Sequence, residues 1–170
     1  MSCDKPLIAA VMLAALAHAA CHRTGSGDTS TIGGTVTLVN RVTGDVRCVK
    51  GANCAPTVET ALRRRMDSAA INVHPDRQTV DLEYEHTANA FSSASFRQAV
   101  TEGGGEVLKI GIEACGKIDT VEGKSWITSG STRLLLDGPG PFNSGTEACV
   151  TGELRDQVSP PRLVPGNLSF

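Results

Sequence analysis

Cysteine and histidine carry most of the chemistry this chain could offer. Six cysteines occur in 170 residues: Cys3, Cys21, Cys48, Cys54, Cys115 and Cys149. Cys54 sits in the loop Gly51-Ala52-Asn53-Cys54-Ala55-Pro56, directly before a run with helical periodicity. At a helix start the positive dipole end lowers a thiol pKa, and the thiolate is both a nucleophile and a soft ligand. Thiolate and imidazole together suit an ion such as Cu(I) or Hg(II), and His74 is the imidazole that could join Cys54. Four readings of Cys54 stay open: disulfide partner, half-exposed thiol without a role, metal ligand, or redox thiol. For His74 the competing reading is a solvated histidine in a hairpin.

Other chemistry finds no support. The chain has no G-x-S-x-G, no H-E-x-x-H, no C-x-x-C and no phosphate-binding G-x-x-x-x-G-K. It is therefore read as non-enzymatic. Asp81, Glu83 and Glu85 alternate along one strand and are most simply its wet face. A formal net charge of −2 gives no reason to expect nucleic-acid binding. The basic run Arg63-Arg64-Arg65 falls late in the first helix, where cations complement the dipole; a docking patch for an acidic partner is the sharper alternative. Trp126 is expected in the core of so aromatic-poor a chain, with a binding face as the alternative.

The N-terminus sets the compartment. Residues 7–20 are apolar except for His18, a run too short for the ~20 residues a membrane span needs, and small residues precede Cys21. Two export readings follow. Ala17-His18-Ala19 is an ordinary signal-peptidase site. Leu16 to Cys21 resembles the lipobox of bacterial lipoproteins, which implies a lipid on Cys21 and a membrane anchor. His18 departs from that pattern, and Asp4 cancels Lys5 in a region that is normally positive. Residues 22–31 contain no apolar side chain and read as a tether. The expected location is the cell envelope, periplasm or outer membrane, or the medium. There Cys48, Cys54, Cys115 and Cys149 form an even set of disulfide candidates, with three possible connectivities.

The elements that must position these residues follow from periodicity. Residues 35–39 and 46–49 read as strands with a turn between them at 40–44. Pro56 opens a helix whose stripe is Val58, Ala61, Leu62 and Met66. Residues 70–74 and 79–84 alternate as a hairpin around Pro75-Asp76-Arg77-Gln78. Ser92 or Ser93 caps a second helix holding Phe96, Ala99 and Val100; Gly103-Gly104-Gly105 ends it, and residues 107–112 form a strand. This order is β-α-β-β-α-β, a ferredoxin-like arrangement with both helices on one sheet face.

Over residues 45–115 the chain resembles the heavy-metal-associated domain of copper chaperones and the periplasmic mercury-binding protein. That family carries Gly-Met-x-Cys-x-x-Cys before its first helix. Gly51 and Cys54 match, Ala52 stands for the Met, and Thr57 stands for the second cysteine. The resemblance implies the fold more strongly than the activity, because a neutral hydroxyl is a poor ligand for a soft ion. In this topology Cys54, His74 and the loop 103–105 cluster at one end of the sheet, and His86 lies at the other. Cys48 and Cys115 fall near that other end too, on strands expected to be adjacent and antiparallel; a disulfide between them is geometrically reasonable and would leave Cys54 and Cys149 able to pair, with the connectivity still open.

Residues 116–170 change character, with short β-like runs near 126–128, 132–136, 148–154 and 162–164 around the loop Asp137-Gly138-Pro139-Gly140-Pro141. The expected organisation is a signal at 1–20, a tether at 21–34, an α+β ferredoxin-like domain at 35–115, and a small β-meander or OB-like unit at 116–170. Two functions are carried forward: a divergent metal-binding domain centred on Cys54, or a non-catalytic interaction module that has lost the metal site.

Overall fold

The computed structural model describes residues 35–36, 39–49, 53–66, 69–84, 91–129, 132–138, 140 and 142–166. The signal expected at residues 1–20, the tether expected at 21–34 with Cys21, and His86 lie outside these residues. The described chain holds β1 (Thr35–Val36), β2 (Val39–Cys48), α1 (Ala55–Arg65), β3 (Ala69–His74), β4 (Thr79–Tyr84), β5 (Phe91–Ser92), α2 (Ser93–Glu102), β6 (Gly105–Val121), β7 (Lys124–Ser129), β8 (Thr132–Leu136), β9 (Glu147–Arg155) and β10 (Arg162–Pro165).

The first four long strands pair antiparallel in the order β3-β4-β2-β6. Their alternation puts Val42, Ile71, Val80, Leu82, Ile110 and Ile112 on one side, where α1 and α2 cover them with Val58, Leu62, Phe96 and Val100. The opposite side is wet, with Arg41 paired to Glu83 at 3.6 Å and Thr43 hydrogen-bonded to Asp81 at 2.8 Å. Residues 40–44, expected as a turn, are the interior of β2. Arg41, Thr43 and Asp45 look like turn residues because they face water, while Val42 and Gly44 point to the helices. The caps follow local chemistry: Ser92 Oγ accepts the Ser95 N–H at 3.2 Å, and Pro occupies the first turn of α1.

Strand β6 spans 17 residues and does not stop at the sheet. Its first part pairs with β2, and its last part pairs with β7 along the same edge. Its other edge pairs with β9 from Gly111 to Lys117. From β7 the order runs to β8, β10 and β9, and β9 returns to β6. The result is a closed five-stranded barrel of Greek-key connectivity, in which only the β8–β10 pair is parallel. Ile118, Ile127, Leu134, Val150, Leu154 and Leu163 fill it, continuous with the core under the helices. Gly116 stands where β6 passes from β2 to β7. A Cβ there would come within 2.5 Å of the Thr128 carbonyl oxygen, so the close approach needs glycine.

The expected fold is corrected by these findings. The chain is mostly β, and a closed barrel rather than a ferredoxin-like α+β domain organises it. The boundary expected between residues 115 and 116 falls inside β6, so no linker separates a first domain from an appended meander or OB-like unit. The barrel closes by long-range pairing of β6 with β9, which no local periodicity reports.

Ion pairs tie the helices to the rest. Arg63 holds Glu59 at 2.7 Å and reaches the Ile71 carbonyl oxygen at 3.3 Å. Arg64 and Arg65 both clamp Glu102 at the end of α2. The basic run is therefore engaged within the fold. Between helix layer and barrel, Arg97 of α2 makes two hydrogen bonds to Asp156, at 3.0 and 2.9 Å, in the turn after β9. Burial pushes the Asp156 carboxyl up, but hydrogen bonds and charge, chiefly from Arg97, outweigh it and hold the pKa below the usual range. The Asp156 side chain is 6 % exposed and Arg97 27 %. Removing the cation strands a buried charge, whereas removing the anion leaves a guanidinium that reaches water. Arg97→Ala is expected to cost about 3 kcal/mol and Asp156→Asn about half as much in urea unfolding. A depressed folded pKa stabilises above the unfolded carboxylate pKa of about 3.9 and is lost as pH falls through the folded value. The gap between wild type and Asp156→Asn should therefore close in acid.

Candidate functional site

A cavity of about 380 Å³ opens where the end of β2, the start of α1 and the β3–β4 turn meet. Cys48, Cys54 and His74 all line it. Cys54 and His74, expected at one end of the sheet, share this cavity with Cys48, which was expected at the other end.

Cys54 is the N-cap residue of α1, and its sulfur is bonded to Cys48 across a Cα–Cα distance of 5.6 Å. The Cys54 N–H donates to Cys48 Sγ at 3.1 Å. In this form neither sulfur is a thiolate, so Cys54 offers no metal-ligand atom. Thr57 has a structural duty instead. Its hydroxyl lies 2.9 Å from the Cys54 carbonyl oxygen and 2.6 Å from that of Gly103, and its single proton serves one at a time. That bond fastens the start of α1 to the end of α2. The approach is close enough that a Cβ on Gly103 would lie 2.5 Å from Val58 Cα.

Both nitrogens of His74 are occupied. Nδ1 accepts from the Arg77 guanidinium at 2.9 Å. Arginine can only donate, so the proton of the neutral ring is on Nε2, which donates to Asp81 Oδ2 at 3.2 Å. Asp81 Oδ1 accepts from Thr43. His74 is therefore held as one wall of the cavity, with no lone pair free for an ion.

Of the three connectivities left open, the disulfides are Cys48–Cys54 and Cys115–Cys149, and not Cys48–Cys115 with Cys54–Cys149. The reason is register. Cys48 ends β2 opposite Gly105, while Ala114 pairs with Val39 at the far end of β2. At about 3.3 Å per residue, Cys48 and Cys115 are roughly 30 Å apart. Cys115 instead lies directly opposite Cys149 on β9. The short spacing from Cys48 to Cys54, six positions across a turn into a helix, was the available signal for their pairing.

Around the second disulfide, Asn40 Nδ2 donates to Cys115 Sγ at 2.9 Å. Glu113 offers a carboxylate oxygen within 4.8 Å of both sulfurs. This is the geometry of a cation cluster in outline, but its two sulfurs are spent on each other. Trp126 is not in the core. It lies half-exposed on β7, with the Arg133 guanidinium 4.1 Å from its ring centroid.

Two disulfides are compatible with an extracellular or envelope location. Among the described residues no helix is long and apolar enough to cross a membrane. Peptide mapping of the chain under non-reducing conditions is expected to recover Cys48 linked to Cys54 and Cys115 linked to Cys149. Any cross-linked peptide joining Cys48 to Cys115 contradicts the register described here. Compared with models of known protein families, with curated proteins and with solved structures, the chain matches none.

Proposed function

We propose that this chain is an exported, lipid-anchored and non-catalytic binding module, with the cavity beside Cys48–Cys54 as its contact site and Cys21 as the anchor. The observation that carries the reading is the state of the cavity's chemical groups. The sulfurs are oxidised and both His74 nitrogens are engaged, so the site offers shape and hydrogen bonding in place of a nucleophile or an ion. Val46, Val58, Val73 and Val80 supply apolar walls, and Asn53 and Gln78 supply polar groups. The volume of about 380 Å³ suits a compact apolar body with one polar end. The occupant class is therefore a small organic molecule or a single side chain of a partner protein.

The test is titration of the isotope-labelled exported chain with 8-anilinonaphthalene-1-sulfonate, an apolar probe with one polar end. Amide shifts are expected at Cys48, Cys54 and the turn residues 76–78, and a Val73→Trp substitution that fills the space is expected to remove them. Shifts elsewhere, or none, reject the cavity as a contact site.

A second reading is favoured by the adjacency of the two sulfurs. Reduced, Cys48 and Cys54 would present two thiolates where the resembling family has its metal loop, which suits Cu(I) or Hg(II). Titration of the reduced chain with Cu(I) against a chromogenic chelator should then give one tight equivalent, lost in both Cys48→Ser and Cys54→Ser. Unchanged affinity in either variant ends the metal reading.

A further inference from the structure

The two disulfides sit in opposite electrostatic surroundings, and that contrast assigns them different chemistry. Cys48 and Cys54 are half-buried and line an open cavity; Cys115 is half-buried and Cys149 exposed, so it is the electrostatic surroundings rather than access that separate the two pairs. Cys48 Sγ already accepts a hydrogen bond from the Cys54 N–H at 3.1 Å. The first turn of α1 holds no acidic residue. Arg47, beside Cys48, is paired with Glu106 at 2.6 Å. A thiolate formed on Cys48 would meet a backbone donor and the positive end of α1. At the other pair the Glu113 carboxylate stands within 4.8 Å of both sulfurs. A thiolate there meets a like charge, which the Asn40 amide only partly offsets. Cys115–Cys149 also joins directly opposed residues in the middle of the β6–β9 pairing that closes the barrel, whereas Cys48–Cys54 closes only the short connection from β2 to α1.

We propose that Cys48–Cys54 is a thiol–disulfide exchange site that accepts electrons from a dithiol, while Cys115–Cys149 is a permanent staple. An incoming thiolate enters from the cavity and forms a bond to Cys54 Sγ. The Cys48–Cys54 bond breaks and its electron pair leaves on Cys48 Sγ, under the Cys54 N–H. The partner's second thiolate then attacks its own sulfur in the mixed disulfide and expels Cys54 as a thiolate. Two electrons and, after protonation, two protons pass from the dithiol to the protein, and the dithiol becomes a disulfide. This activity goes beyond binding, and it requires neither a resident small molecule nor a metal.

The experiment exposes the exported chain to graded reduced glutathione, quenches in acid, and reads each cysteine by differential alkylation and peptide mass spectrometry. Cys48–Cys54 is expected to open at least about tenfold faster than Cys115–Cys149, with the glutathione adduct on Cys54. Glu113→Gln is expected to speed opening of Cys115–Cys149 and leave the Cys48–Cys54 rate unchanged. Equal or reversed order in the wild-type chain overturns the proposal, as does an adduct on Cys48. A Glu113→Gln chain with unaltered rates at both pairs overturns the electrostatic basis. A reduced two-cysteine peptide in place of glutathione separates a polypeptide source of the dithiol from a small-molecule one. Its oxidation without a lasting adduct supports the two-step transfer, and a persistent adduct refutes it.

Discussion

Backbone hydrogen bonding along β6 is the interaction on which the other parts depend. One strand of 17 residues lends one edge first to β2 and then to β7, and lends its other edge to β9. Break that continuity and the helix-covered sheet loses its fourth strand while the barrel loses its first. Neither part is independent, because Ala114 and Ile118 on the same strand belong to one core. The Arg97–Asp156 pair crosses the same junction and fixes the angle at which α2 meets the barrel. A chain this poor in aromatic residues has few large side chains to bury. It compensates with a single shared strand, a covalent staple beside it and a buried charge pair.

Some of this was legible in the residues and some was not, for physical reasons. The alternation of Val80, Leu82 and Tyr84 marked a strand with one buried side, and that strand is β4. The stripe Val58, Ala61, Leu62 marked α1. Strand β2 was half hidden, since Asn40, Arg41, Thr43, Gly44 and Asp45 have the composition of a turn. A strand with one wet face can carry such residues, and only its neighbours reveal the pairing. The length of β6 was hidden for a related reason: Gly111 and Gly116 interrupt its apolar pattern, and at Gly116 another backbone comes close. Closure of the barrel depends on pairs such as Gly111 with Glu153, which no local rule foretells.

The site repeats this division. Cys54 at a helix start and His74 at a hairpin end line one cavity, an adjacency that follows from element order. The state of their donor atoms did not follow. Placing Cys48 at the wrong end of its strand set it some 30 Å from Cys54, so a long-range pairing with Cys115 looked geometrically reasonable beside the short-range one that forms. The Thr57 hydroxyl, which looked like a lost ligand, is a fastener between two helices.

The contact between Arg63 and the Ile71 carbonyl bears on how this molecule behaves in company. Among the described residues β3 is the outermost strand of the sheet, short and built largely of small apolar residues. Such an edge presents unpaired amides and carbonyls to any other extended chain, which is how sheets seed aggregates. Arg63 lays a charged guanidinium over one of those carbonyls and keeps Glu59 beside it. A newcomer strand would have to displace that cation before it could add to the sheet. The helix that frames the cavity thus also guards the sheet's open border, and keeps neighbouring chains from using the edge as a template.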